Sequence, residues 1–210
     1  MKKYLLLFIT LTLVFISACG NDGSENNTAE NQDKGTLVFG QTPWSSTAPP
    51  TQIAKQILEE QGYDIKIQQV SQPVIWEGMK NQEIDFFMDA WLPYTEGARW
   101  EEFKDDLVKV ATSYENAMLG WVVPTYVEEE SIEELKQQAD KYDGQVATIS
   151  EGAGIVELSK ELMEGENLAE AGFKLTPSSE GAMISVAQGK IEDNEPVVFT
   201  AWRPHSVFAR

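Results

Sequence analysis

Between Thr36 and Thr200 the chain alternates short β-rich runs with helix-like stretches, and this order constrains the fold more than any other feature. Thr36–Gly40 is a compact β-rich run. Pro49 and Pro50 suit the first turn of a helix; Ile53, Ile57 and Leu58 form its apolar stripe, and Gly62 ends it. Ile65–Val70 alternates with period two, as a half-buried strand does. A short helix over Val74–Lys80 and a brief strand over Ile84–Met88 follow. Next come a helix over Glu96–Lys104 and a strand over Leu107–Ala111. Met118–Val127 is the most apolar stretch of this part of the chain. Its Pro124 cannot donate to a ladder, so it suits an edge or crossing strand, and a hinge is placed there. Ser131 and Glu134 have capping-box spacing and open a helix to about Lys141. Gln145–Ile149, Phe173–Thr176 and Pro196–Thr200 read as strands. Helices are expected over Ile155–Met163 and Ser179–Gln188, the second with Ala182, Met183, Val186 and Ala187 on one face. No internal repeat is visible. The alternation predicts α/β lobes with mainly parallel sheets. The expected divisions are a first lobe at 35–117, a crossover at 118–127 and a second lobe at 128–210.

Three tryptophans each follow an expected strand within a few residues: Trp44 in GQTPWSST, Trp91 in MDAWLPYT and Trp202 in FTAWRPH. In open α/β sheets ligands bind beyond the carboxyl ends of the strands. Indole faces converging there form a box for a cation that donates no hydrogen bonds, and a quaternary ammonium is the usual occupant. Gly152, Ala153 and Gly154 lie between an expected strand and helix. A glycine-rich turn there presents backbone N–H groups at the positive end of the helix dipole, which suits a carboxylate. The same pattern also occurs in ordinary strand-to-helix turns. A box for an ammonium and a nest for a carboxylate together describe a site for a small zwitterion.

The N-terminus carries an address. Lys2 and Lys3 precede an apolar run from Tyr4 to Ile16, and Ser17, Ala18 and Cys19 follow. This is the shape of a secretory signal over residues 1–18. The run is shorter than the ~20 residues a membrane-spanning helix needs. Cys19 is the only cysteine, so no internal disulfide forms. The segment from Ile16 to Cys19 resembles the lipobox of bacterial lipoproteins, which implies cleavage before Cys19 and lipid on its sulfur and new amino group. Residues 19–34 contain, after Cys19, no apolar side chain larger than alanine. They read as a flexible tether, because they bury too little surface to offset the entropy of ordering. Lipid and tether together hold a folded domain at the extracytoplasmic face of the cell membrane.

Without the leader the chain has 14 basic and 34 acidic side chains, a formal charge of −20. Nucleic acid is excluded as a partner, because its binding depends on Lys and Arg neutralising phosphates. The acidic side chains are scattered and read as a solvated surface.

LVFGQTPWSST, EEQGYDIKI, DAWLPYTE, GWVVPTYV and TAWRPH stand in an order similar to glycine betaine-binding proteins of bacterial ABC importers. The resemblance spans almost all of residues 35–210. It implies a two-lobed, type II periplasmic-binding-protein-like clamp that delivers its ligand to an importer's permease. It implies that Trp44 and Trp91 from the first lobe and Trp202 from the second box the trimethylammonium. It also implies that the backbone N–H groups of Gly154 and Ile155 receive the carboxylate. Glycine betaine is the first candidate ligand; choline, carnitine, proline betaine and trimethylamine N-oxide follow.

Two departures from the family pattern stand out. Members commonly carry histidine where this chain has Glu96, and a carboxylate facing a carboxylate is repulsive unless one is protonated. Glu96 is therefore a candidate for the ligand's polar end, with a solvent-facing position or pairing to Arg99 as the alternative. The family chain also usually returns to the first lobe after the WRPH motif, whereas this sequence stops at Arg210.

Tyr94, beside the cage loop, is a candidate wall. Trp76, Trp100 and Trp121 are read as packing or partly exposed residues. His205 is the only histidine and is expected to order its loop; a multi-histidine metal site is excluded, and no cofactor is expected. No phosphate-binding loop and no nucleophile elbow appear, so an enzyme is not expected. A hydrolase built on Asp85, Asp89 and Glu96 has no distinguishing spacing. A lipoprotein with no saturable ligand is the remaining alternative.

Overall fold

A computed structural model describes residues 34–209. The expected leader, the lipidation site Cys19 and the tether up to Asp33 lie outside the described residues.

Two sheets organise the chain. The first has strands β1 (Thr36–Gln41), β2 (Asp64–Gln69) and β3 (Phe86–Phe87) in the order β2-β1-β3, all parallel. Its helices are α1 (Ala48–Glu60), α2 (Gln72–Lys80) and α3 (Gly97–Phe103). The second has strands β4 (Met118–Val122), β5 (Gln145–Thr148), β6 (Lys174–Pro177) and β7 (Val198–Arg203) in the order β4-β7-β5-β6. Its helices are α4 (Ile132–Lys136), α5 (Gly154–Gly165) and α6 (Glu180–Glu192). β5 runs parallel to both β6 and β7, and β4 pairs antiparallel with β7 at the edge. Pro124 falls just past β4, where its missing N–H removes no ladder bond.

Packing decides which faces are buried. α1 starts at its prolines as expected, but Ile53 and Ile57 are 59% and 55% exposed. The face turned inward is Thr51, Ala54, Lys55 and Leu58, which has i, i+3, i+4, i+7 spacing. Lys55 lays its stem along this face and donates from Nζ to the Ile65 carbonyl at 3.2 Å. Next to it, α2 sits so close to β1 that a Cβ on Gly40 would stand 2.8 Å from Ile75 Cγ2. Glycine at position 40 therefore brings α2, with Gln72 and Trp76, up against the central strand.

Several boundaries differ from expectation. Leu107–Ala111 forms no strand, and Val108 and Val110 face solvent; alternation does not make a strand where no partner edge or apolar face receives it. Ser131 caps α4 by accepting from the Glu134 N–H at 3.2 Å, but the returning bond reaches the Glu130 N–H instead of the cap's own. α4 stops at Lys136, and a separate 3-10 turn follows at Ala139–Tyr142. On α6 the inward residues are Met183, Ile184, Ala187 and Ile191, while Ala182 and Val186 are exposed. β7 is longer than expected and contains Trp202 within the strand.

Phe39, Ile65, Ile75, Trp76, Ile84 and Phe103 are buried around the first sheet, and two apolar clusters of described residues pack on the second. One gathers Leu135, Tyr142, Val146, Leu168, Phe173 and Val198 on one face of the second sheet. The other gathers Ile149, Ile155, Met183, Phe199 and Trp202, and it takes in Trp44 from the loop after β1. The first sheet's loop is thus packed into the core of the second. Among the described residues no helix is long and apolar enough to cross a membrane.

Candidate ligand-binding site

The loops after β1, β3 and β5 and the end of β7 meet at the carboxyl ends of their strands, where open α/β sheets place ligands. Trp44, Trp91 and Trp202 line one cavity, together with Glu96, Gly154 and Ile155. Tyr94 is not among the lining residues; its ring is 88% exposed, because the loop turns it toward solvent. It forms no wall of the cavity.

Hydrogen bonds hold the segments that carry the indoles, although Trp44 Nε1 and Trp202 Nε1 themselves have no partner among the described residues. Trp91 Nε1–H donates to Asp89 Oδ1 at 2.8 Å, which fixes that ring's edge and leaves its face to the cavity. Burial pushes the Asp89 carboxyl up to about 6; Trp91 and Ser46 oppose the shift and Glu180 adds to it. Glu180, in the first turn of α6, ties two tryptophan loops together. Its carboxylate accepts from the Ser45 N–H at 2.7 Å and the Ser45 hydroxyl, next to Trp44. It also meets His205 Nε2 at 2.9 Å. His205 stands edge-on to Trp202 at 4.9 Å, and its Nδ1 accepts from the Val207 N–H. The sole histidine thus orders the loop after Trp202.

The polar end is built at the start of α5. Gly152 has φ +83°, a left-handed conformation that favours glycine, and it turns the chain so that the helix begins at Gly154. A Cβ on Gly154 would stand 2.6 Å from Thr95 Cγ2 and 3.1 Å from the Thr95 carbonyl oxygen. Only a bare Cα lets this helix terminus approach the loop that carries Trp91 and Glu96. The Gly154 N–H donates to Gln72 Oε1 at 3.3 Å, and the other end of that amide donates to Glu96 Oε1.

Glu96 is 2% exposed. Arg99 does not pair with it; the guanidinium donates to the Gly152 carbonyl at 3.3 Å. Burial pushes the Glu96 carboxyl up to about 8, and Asp89 pushes in the same direction. Arg99, the Trp91 backbone N–H and the Trp76 indole pull the other way without cancelling the shift.

The remaining tryptophans are structural. Trp76 is buried against Phe103 at 5.9 Å, and Trp121 donates to Ser159 Oγ at 2.9 Å. Sequence reasoning missed Gln72, whose amide joins the start of α5 to Glu96. Its signal was weak: a polar residue just past the carboxyl end of an expected strand. Asp89 stood out only as one acid among many.

Known proteins share this fold. The chain is similar to the glycine betaine, L-proline ABC transporter binding protein (ProX) of Borrelia burgdorferi, at 28% identity and TM-score 0.80. The likeness covers 83% of this chain and 66% of that one. It is also similar to lactococcal OpuAC in its closed-liganded conformation with glycine betaine, at 30% identity and TM-score 0.76, covering 83% of this chain and 67% of that one. An ABC-transporter choline binding protein in complex with choline follows at 25% identity and TM-score 0.75, covering 83% and 62%. The chain therefore spans about two thirds of the length of these structures. Its fold is the α/β fold of type II periplasmic binding proteins. The model for the substrate-binding domain of ABC-type glycine betaine transport systems matches residues 35–210, and the chain belongs to that family.

Proposed function

We propose that this protein captures glycine betaine at the extracytoplasmic face of the membrane and delivers it to the permease of an ABC importer. The observation that carries the reading is the convergence of Trp44 and Trp91, from two separate loops, and Trp202, from the end of β7, on one cavity. A trimethylammonium has no N–H to satisfy and a diffuse positive charge, so indole faces stabilise it better than hydrogen-bond acceptors do. Asp89 beside the box adds negative charge at the cationic end. The start of α5, with the N–H groups of Gly154 and Ile155, takes the carboxylate end, the Gly154 N–H exchanging its bond to Gln72 Oε1 for one to the ligand. The lobes at 35–117 and 128–210 close on the ligand through the crossover at 118–127. The protein acts by capture and release and leaves the ligand chemically unchanged. Lipid on Cys19 and the tether behind it keep the domain near its permease.

A choline ligand is the second reading, favoured by the choline complex among the similar structures. Calorimetric titration with glycine betaine, choline, carnitine, proline betaine and trimethylamine N-oxide tests both, with glycine as the unmethylated control. Saturable binding of glycine betaine without binding of glycine is expected. Strongest binding of choline would favour the second reading, and no binding of any methylated ammonium would refute both.

A further inference from the structure

A chain of hydrogen bonds runs from the start of α5 to the cavity and stops at Glu96. The Gly154 N–H donates to Gln72 Oε1, and Gln72 Nε2 donates to Glu96 Oε1. Glu96 Oε2 has no hydrogen-bond partner among the described residues, although the side chain is 2% exposed and lines the cavity. α5 spans 12 residues, so its N-terminus carries the full positive end of a helix dipole. Gly154 and Glu96 are neighbours here: a Cβ on Gly154 would stand 3.4 Å from Glu96 Cγ. An anionic ligand group drawn to this terminus therefore comes close to the Glu96 carboxyl.

We propose that Glu96 takes part in binding as a neutral carboxylic acid whose Oε2–H donates to the carboxylate of the ligand, which makes it the residue that selects carboxylate-bearing betaines. This rests on the quaternary ammonium reading given above. Because Oε1 already accepts from Gln72, the proton belongs on Oε2. An ionised Glu96 in the same position would repel the ligand carboxylate in a medium that screens charge poorly. A neutral one makes an O–H···O⁻ bond, which is short and charge-assisted.

The groups facing Glu96 come from four elements. Asp89, after β3, favours the neutral form together with burial. Arg99 on α3, the Trp91 backbone N–H and the Trp76 indole on α2 favour the ionised form. Gln72 on α2 and the Gly154 N–H on α5 complete the surroundings. Trp76 Nε1–H faces the carboxyl without reaching hydrogen-bond geometry, and the Arg99 guanidinium is engaged with Gly152. Burial prevails, and the carboxyl keeps its proton up to about pH 8.

Glycine betaine and choline separate this idea from the reading beneath it, because a hydroxyl serves as donor or acceptor and tolerates either form of Glu96. Dissociation constants for both ligands are measured by calorimetry from about pH 7 to about pH 9.5, above the range in which Asp89 titrates. The constant for glycine betaine is expected to rise about tenfold per pH unit above the Glu96 titration, with that for choline nearly flat. Glu96→Gln keeps an N–H donor and cannot titrate. It is expected to weaken glycine betaine binding at neutral pH, because an amide N–H replaces the charge-assisted O–H donor, and to abolish the alkaline loss. A flat wild-type profile, or the same alkaline loss in Glu96→Gln, overturns the proposal while leaving the quaternary ammonium reading intact. Absence of binding of either ligand to the folded protein at neutral pH overturns both.

Discussion

Glu96 is a buried acid and Asp89 a half-buried one, and loss of solvation holds both carboxyls above their ordinary range, near 8 and near 6. Folding therefore favours their neutral forms. The stability this represents is present below the unfolded values, 3.8 and 4.5, and is lost as pH rises through about 6 and then about 8. The thermal midpoint of the unliganded protein is expected to fall across that range. Glu96→Gln should flatten the upper part of the fall, read by circular dichroism at a series of pH values. An unchanged slope would place the titration elsewhere. Trp44→Ala, Trp91→Ala and Trp202→Ala are each expected to weaken glycine betaine binding by about 1–2 kcal/mol or more, through loss of a desolvated aromatic face. Trp100→Ala, on the partly buried α3 helix, should leave the dissociation constant nearly unchanged; equal losses at all four positions would mean the box is misplaced. Trp76 makes a poor control, because truncating so buried a ring costs about 3–5 kcal/mol of stability. The three cavity tryptophans were legible in the sequence because their distance from a strand end sets their place. Tyr94 was not, because the direction of a loop side chain depends on how the loop turns.

At the level of elements, the approach of α5 to the loop before α3 is the contact on which the site depends. A methyl group on Gly154 meets both the side chain and the carbonyl of Thr95. Gly154→Ala is therefore expected to hold the two apart, to destabilise the fold by about 1–3 kcal/mol, the usual cost of overpacking, and to weaken ligand binding. Titration of the variant with glycine betaine checks this; unaltered affinity would show that the site forms without close approach at Gly154. Most elements were legible from periodicity and punctuation: α1 from its prolines, α4 from Ser131, α5 from the glycines before it. Their inward faces were less legible. Ile53 and Ile57 are more apolar than Thr51 and Lys55, yet the latter pair faces the sheet. The direction in which a helix leaves its loop fixes its rotation, and a single apolar pair does not outweigh it.

At the level of the molecule, the cavity lies where the first sheet's loops meet the second sheet's core. Trp44 belongs to the same apolar cluster as Ile155, Phe199 and Trp202, and Glu180 bonds to Ser45 on one side and His205 on the other. Ligand capture and packing of the two sheets therefore draw on the same residues. The whole protein's location is tested at Cys19. Cys19→Ser is expected to move the protein from the membrane fraction to the soluble fraction, with ligand affinity in solution unchanged. Retention in the membrane fraction after leader cleavage would remove the lipid anchor from the reading.

The sequence by itself determined the α/β alternation, the strand-end tryptophans and the family to which the chain belongs, since these rest on local periodicity and on motifs read in order. Only the tertiary structure decided that Leu107–Ala111 finds no partner strand, that Gln72 reaches Gly154 across 82 positions, and that Glu96 is buried at the cavity with its carboxyl pushed up. Pairing, burial and proton affinity are properties of a residue's surroundings, and at this site the surroundings come from segments far apart in the chain.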